Sequence, residues 1–181
     1  MEKMAITTER LHIRNLRPAD LDDFHRYRSN PKVTRYQGFG VMTREEAAQF
    51  IEGQKDKLFG EPDAWVQYGL ELRSGGHLIG DCAVKLRSDN QAEIGITISH
   101  LEQKKGYAKE VLLALLHFLF DQHGVHRVVE TVDADNLASI NLLRSAGFRQ
   151  EGHFIENIFF KGQWGSELQF ALLKREWDDR S

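Results

Sequence analysis

The stretch that most restricts the fold is Glu93-Ile-Gly-Ile-Thr-Ile-Ser99, followed closely by Gln103-Lys-Lys-Gly-Tyr-Ala108 and a run of apolar helix formers. Its β-branched residues predict a strand, Gly106 and two lysines a short loop, and the apolar spacing a helix opening from Lys109. A strand running through a glycine loop straight into a helix makes a cradle for a phosphorylated ligand. Main-chain N–H groups at a helix start have no intrahelical partner, and the aligned peptide dipoles add partial positive charge there. Gly106 removes the Cβ that would hold a pyrophosphate off the main chain, and Ala108 is nearly as small. Lys104 and Lys105 can meet the remaining anionic charge.

At 181 residues and 41% hydrophobic, the chain fits one globular domain over 1–181 with an ample core. Three prolines and 28% charged residues argue against disorder. The formal net charge of -3 leaves no global basic field to hold nucleic acid. Cys82 is the only cysteine, so no intrachain disulfide can form and a reducing compartment fits. The N-terminus lacks the apolar run of a secretory signal, and Val111–Leu116 is too short to span a bilayer. The expectation is a cytoplasmic protein with no membrane partner.

Leu11, Ile13 and Leu16 alternate as a first strand. Asp20 then reads as N-cap of a helix carrying Leu21, Phe24 and Tyr27. A second helix opens at Thr43, where Thr-x-x-Glu46 is a capping box. Trp65–Leu72 and Leu78–Leu86 read as a hairpin about Ser74-Gly-Gly76, and Ser88-Asp-Asn90 turns into the strand Ala92–Ser99. Lys109–Phe120 is apolar on most faces, hence a helix buried against a sheet. Val125–Val132 reads as a strand, Ala138–Ser145 as a short helix and Gly147 as its C-cap. Phe148–Leu173 alternates as two antiparallel strands about Lys161-Gly162. This is a mixed α/β order, neither doubly wound nor a barrel.

Gln103-x-x-Gly106-x-Ala108 after a Glu-Ile-Gly strand resembles the acetyl-coenzyme A loop of the GNAT N-acetyltransferases. The resemblance extends to Thr8-Glu-Arg-Leu-His-Ile-Arg14, Asp20, Asp135-Asn136-Leu-Ala-Ser139, Ala146-Gly147-Phe148, Lys161-Gly-Gln-Trp164 and Leu173-Lys-Arg-Glu-Trp177. It covers nearly the whole chain and is strongest to the branch holding the ribosomal-protein N-terminal acetyltransferases. It implies a central mixed sheet flanked by helices, acetyl-coenzyme A as cosubstrate, and transfer to a primary amine by direct attack in a ternary complex. By resemblance, Thr97, Ile98 and Ser99 meet the pantetheine arm, and the Ile98 N–H polarises the thioester oxygen. The N–H groups of Lys104, Lys105, Gly106, Tyr107, Ala108 and Lys109 take the pyrophosphate.

Asn136 and Ser139 share one face of a short helix. The resemblance implies that Asn136 reaches the cofactor arm and Ser139 gives a proton to the thiolate. Asn136 also suits the helix N-cap, and Ser139 can instead bond its own backbone. Many family members carry a tyrosine acid seven residues after this asparagine, where this chain has Leu143. Glu93, at the start of the donor strand, is the candidate base, the alternative being a strand glutamate paired with a neighbouring cation. An α-amine, at about 7.7–8.0, asks less of a base than a lysine at about 10.4. No histidine grouping has metal-ligand spacing, and Cys82 lacks a basic neighbour that would make it a nucleophile.

Family likeness directs the acceptor to Tyr36, Phe39, Trp65 and Trp164 with Asp20, Asp81 and Glu167. The branch points to a protein N-terminal α-amine. The alternatives are a small amine (polyamine, aminoglycoside or amino acid) and a coenzyme A sensor without turnover. Monomer and homodimer both stay open.

Overall fold

Strand alternation and the early end of one strand pairing determine the architecture. The computed structural model describes residues 2–180, so the two ends of the expected 1–181 domain, Met1 and Ser181, lie outside the described residues. Eight strands are β1 (Ile6–Thr7), β2 (Leu11–Asn15), β3 (Trp65–Leu72), β4 (Leu78–Leu86), β5 (Gln91–Ile98), β6 (Arg127–Asp133), β7 (Arg149–Phe160) and β8 (Gln163–Leu173). They form one sheet in the order β1-β2-β3-β4-β5-β6-β8-β7. All neighbours are antiparallel except β5 and β6. That parallel pairing covers only Gln91–Glu93 against Arg127–Val129, after which the two strands part.

The helices are α1 (Leu21–Arg28), α2 (Pro31–Thr34), α3 (Arg44–Gln54), α4 (Tyr107–His117), α5 (Leu137–Ser145) and α6 (Lys174–Asp178). The larger core packs Val111, Leu112, Leu115 and Leu116 of α4 and Leu143 of α5 against Ile13, Leu70, Cys82 and Val128. A smaller one joins Phe24 and Tyr27 of α1 to Ala47 and Ile51 of α3, over Leu16 and Leu78. Successive strand residues face opposite ways, and a Cβ at Gly69 would meet Leu16 and Leu78 whereas Leu70 lies in the larger core. The two cores therefore cover opposite faces of the sheet.

Local chemistry accounts for most boundaries. Thr43 Oγ1 accepts from the Glu46 N–H at 3.2 Å while Glu46 accepts from the Thr43 N–H at 2.7 Å, the reciprocal cap expected for α3. Asn30 caps α2 by accepting from the Lys32 N–H at 3.0 Å, with Pro31 at the first helical position; this helix was not expected. Asp20 precedes α1 as expected but does not cap it. Its carboxylate turns inward to Arg14, at 2.8 Å from both terminal guanidinium nitrogens. Lys161 (φ 52°) and Gly162 (φ 79°) are both left-handed, as the tight turn joining β7 to β8 requires.

One irregularity bears on the site. Leu70 stands opposite Gly80 and Glu71 opposite Leu78, so Ile79 is an extra residue in β4. This bulge turns Asp81 towards α1 and presses β4 on β5. A Cβ at Gly80 would lie 2.1 Å from the Thr97 carbonyl oxygen, a distance no side chain survives.

Candidate active site

Where β5 and β6 diverge, main-chain groups lose their partners. The Arg87 N–H bonds the Gln91 carbonyl at 2.7 Å, and the Ser99 N–H bonds the Ile79 carbonyl at 2.8 Å. Bonded rungs alternate in an antiparallel ladder, so the intervening Ile96 and Ile98 turn their N–H and C=O groups away from β4, into the gap. The Ile98 carbonyl is met by the Gln103 amide at 3.1 Å, which joins loop to strand. The gap opens into a cavity of about 530 Å³.

The loop between β5 and α4 forms one end of this cavity. Gly106 has φ 85° and Lys104 φ 63°, so left-handed residues tilt successive N–H groups to one side. The N–H groups of Gln103–Lys109 have no main-chain acceptor among the described residues. Helix α4 starts at Tyr107, two residues before the expected Lys109, because Gly106 already stands at its N-cap. The turn is held from behind: Arg10 donates to the Lys105 carbonyl at 2.9 Å and to Glu110 at 2.7 Å, and its guanidinium lies 4.3 Å from the Tyr107 ring centroid. An unpaired N–H row over a residue without a Cβ fits a pyrophosphate.

Thr97, Ile98, Gln103, Lys104, Gly106, Tyr107, Ala108 and Lys109 all border the cavity, as do Asn136 and Ser139 across the gap. Ser99 and Lys105 do not border it; the Lys105 ammonium pairs with Glu102 at 2.9 Å. Asn136 caps α5 through its Oδ1, which accepts from the Ser139 N–H at 3.2 Å. The Ser139 hydroxyl has no hydrogen bond among the described residues and is half-buried at the cavity wall. Leu143 is fully buried in the larger core, so the usual tyrosine position points away from the cavity.

The expected base does not join this group. Glu93 Oε1 lies 3.1 Å from Lys85 Nζ and 3.4 Å from Arg87 Nη1. It borders a second cavity, of about 310 Å³, where β5 and β6 are still paired. Its carboxylate is thus engaged by two cations and stands apart from the cavity that Ser139 borders.

A carboxylate that sequence reasoning missed, Glu130, lies at the fork. It is the first β6 residue beyond the last rung, Glu93↔Val129, and it borders both cavities. It is 8% exposed, and its Oε2 has no hydrogen-bond partner among the described residues. Burial alone pushes its carboxyl up to about 8. A signal was present: Glu130 lies between Val128 and Val132 on the core-facing side of a β-branched strand.

The residues expected around an acceptor separate. Tyr36 borders the larger cavity and Trp65 the smaller. Phe39 covers the Arg28 guanidinium, with 3.7 Å to its centroid. Trp164 is exposed on the β7–β8 hairpin, edge-on to Phe159. Asp20 and Asp81 are corrected: both are buried in ion pairs, with Arg14 and Arg28 respectively, and offer no free anion. Glu167 accepts from the Asn157 amide at 2.6 Å. Cys82 is fully buried, and burial, then Asp81, pushes its thiol well up, which removes it as a nucleophile. No helix among the described residues is long and apolar enough to cross a membrane.

Comparison with known proteins agrees with this geometry. The acetyltransferase (GNAT) domain family matches residues 10–149. An uncharacterized N-acetyltransferase of Bacillus subtilis, YnaD, is 32% identical over 97% of this chain and all of its own length. The spermidine N(1)-acetyltransferase of Vibrio cholerae is 28% identical over 50% of this chain and 52% of its own. The [ribosomal protein uS5]-alanine N-acetyltransferase of Escherichia coli is 29% identical over 46% of this chain and 43% of its own. Among solved structures, a GNAT-family acetyltransferase from Bacillus anthracis superposes with a TM-score of 0.86 at 28% identity, over 96% of this chain and all of that one. The split between β5 and β6, the glycine turn that opens α4 and these matches have one reading: the chain belongs to the GNAT family and is an acetyl-coenzyme A-dependent N-acetyltransferase.

Proposed function

We propose that the acceptor is the α-amine of a protein or peptide N-terminus. The observation that carries this reading is that, the buried Glu130 apart, the carboxylates bordering the two cavities are paired: Glu93 is held by Lys85 and Arg87, and Glu102 by Lys105. A polyamine carries several charges along its length and asks for free anions; an N-terminus carries one, with a main chain to hydrogen-bond. The uS5-alanine relative supports the same class. A polyamine is the second reading, favoured by the spermidine relative.

Acetyl-coenzyme A, when bound, supplies an acetyl group activated as a thioester. The N–H groups of Gln103–Lys109 would hold its pyrophosphate, and Lys104 and Lys109 would add positive charge. The Asn136 side-chain N–H₂, left free by its capping role, would meet the pantetheine arm. The Ile98 N–H, aimed into the gap, would stabilise the oxyanion that forms on attack. The unpartnered Ser139 hydroxyl would donate to the departing sulfur.

The test is release of free thiol from acetyl-coenzyme A across a panel of amines. It includes peptides beginning with Ala, Ser or Met, spermidine, an aminoglycoside and free amino acids. The peptides should give the highest kcat/KM. Spermidine outpacing every peptide would install the second reading. Cofactor binding with no thiol released by any amine would mark a sensor.

A further inference from the structure

We propose that the Glu130 carboxyl, at the fork of β5 and β6, carries the proton from the acceptor amine to the departing thiol. This rests on acetyl transfer to an amine and is independent of which amine is used. Three observations meet at this residue. It is the first residue beyond the last β5–β6 rung, where the sheet changes from closed to split. It borders the larger cavity, which holds the loop and Ser139, and also the smaller one, on the face that carries Trp65 and Glu93. Its Oε2 is buried and unpartnered, a state that is costly to keep unless something occupies it during turnover.

The surroundings leave this carboxyl to itself. Arg87 is engaged by Asp89 and Glu93, and Arg127 by Glu151 and Gln91. Across β8 the opposing residue is the neutral Phe170, next to Gln169. From α5 and its N-cap come Ser139 and Asn136, both uncharged. Lys32, Lys104, Lys109 and Glu102 border the same cavity, as do Tyr36 and Tyr107. None of these makes a hydrogen bond with Glu130 among the described residues, and burial is the cause of its raised value, about 8. That is close to both an α-amine, at about 7.7–8.0, and a thiol, at about 8.5, so the proton makes no steep uphill step.

The amine arrives as an ammonium and gives one proton to the Glu130 carboxylate. Its freed lone pair forms the C–N bond as the C–S bond breaks, and that electron pair leaves on sulfur. Glu130 returns its proton to the thiolate, by way of Ser139 or a water, and the second ammonium proton goes to solvent. One shuttle thus replaces the separate base and tyrosine acid that Glu93 and Leu143 do not provide.

The experiment is Glu130→Gln, assayed by thiol release with the best acceptor of the panel and read with two measurements on the free protein. Glutamine matches the neutral carboxyl in shape, so the fold should persist. The expected result is a fall in kcat of about 10²-fold or more, with little change in KM for acetyl-coenzyme A and loss of the rise in rate towards pH 8 that wild type should show. Carbon-13 NMR of the free wild type should show a carboxyl titrating near 8, absent from the variant. Stability supplies the second measurement. The folded state holds this proton more tightly than the unfolded chain, so Glu130 contributes stability fully present below about 4.3 and lost as pH rises through about 8. Glu130→Gln should flatten that decline.

The proposal is overturned if Glu130→Gln keeps wild-type kcat and pH profile, or if Glu93→Gln instead removes the alkaline rise. If wild type releases no thiol with any amine, the acetyl-transfer reading fails first and the shuttle with it. If wild type turns over and Glu130→Gln equals it, only the shuttle fails.

Discussion

Asp81 shows how a single residue can mislead a reading by composition and still matter. Carboxylates near aromatics suggest a surface for cationic amines, yet Asp81 is 0% exposed and saturated. Tyr27 donates to it at 2.7 Å, Arg28 at 3.0 and 2.7 Å, and the Gln67 amide also donates. Arg28 is itself buried beneath Phe24, Phe39 and Phe50. Asp81→Ala would leave that guanidinium uncompensated, and breaking a buried pair from one side costs about 3–5 kcal/mol. Urea unfolding should report a loss of that size; a change below about 1 kcal/mol, the level of an exposed pair, would mean that Arg28 finds water. Pairing of this kind depends on residues far apart in the chain, so a sequence shows the charges and hides their partners. Glu130 was hidden for the opposite reason. Its Oε2 has no partner among the described residues, and its meaning comes from standing where two strands separate.

At the level of elements, the strand–loop–helix unit from β5 to α4 was legible because its signals are local. A β-branched run, a glycine and an apolar helix face lie within about twenty-five residues. The two-residue error at the start of α4 came from placing Gly106 inside the loop, where its φ of 85° in fact makes it the cap. Helix α2 was missed although Asn30-Pro31 is a helix-start signal, since four residues carry no periodicity. Gly106→Val tests the loop directly. A β-branched residue is a genuine outlier in the left-handed region, and its methyl groups would stand over the N–H row. Circular dichroism should stay close to wild type while calorimetric binding of acetyl-coenzyme A is lost. Unchanged binding would move the pyrophosphate elsewhere. The end of β5 makes a companion prediction. Ile96 and Ile98 amides, facing the gap, should exchange with deuterium much faster than the Ala92 amide in the free protein, and acetyl-coenzyme A should slow Ile98. Equal protection of all three in the free protein would mean that β5 and β6 pair along their whole length.

Across the whole molecule, the sheet is closed over Gln91–Glu93 and split beyond it, so β1–β5 and β6–β8 are joined by three rungs and by what packs over them. The order of elements, the two hairpins and the buried character of α4 followed from periodicity, which is why the fold could be read as far as a mixed sheet flanked by helices. Where the parallel pairing stops could not be read, because Val128 and Val132 continue the same buried face across the fork. What keeps the halves together is the larger core, in which Leu112 and Leu115 of α4 meet Ile13, Leu70 and Cys82 from one half and Val128, Phe170 and Leu172 from the other. A core shared this way makes separate unfolding of either half expose the same apolar surface, so unfolding should be a single cooperative transition. Leu112→Ala, at a site with 0% exposure, should then lower stability by about 2–5 kcal/mol and shift every probe together. Far-UV circular dichroism follows the helices, while tryptophan fluorescence draws on Trp65 in β3, Trp164 in β8 and Trp177 in α6, one reporter in the first half and two in the second. Coincident transitions in wild type and variant would establish that the gap is a slot within one cooperative unit. Two transitions, with only one displaced by Leu112→Ala, would show the fork to be a boundary between parts that open independently, and acetyl-coenzyme A binding would then have to raise the stability of both.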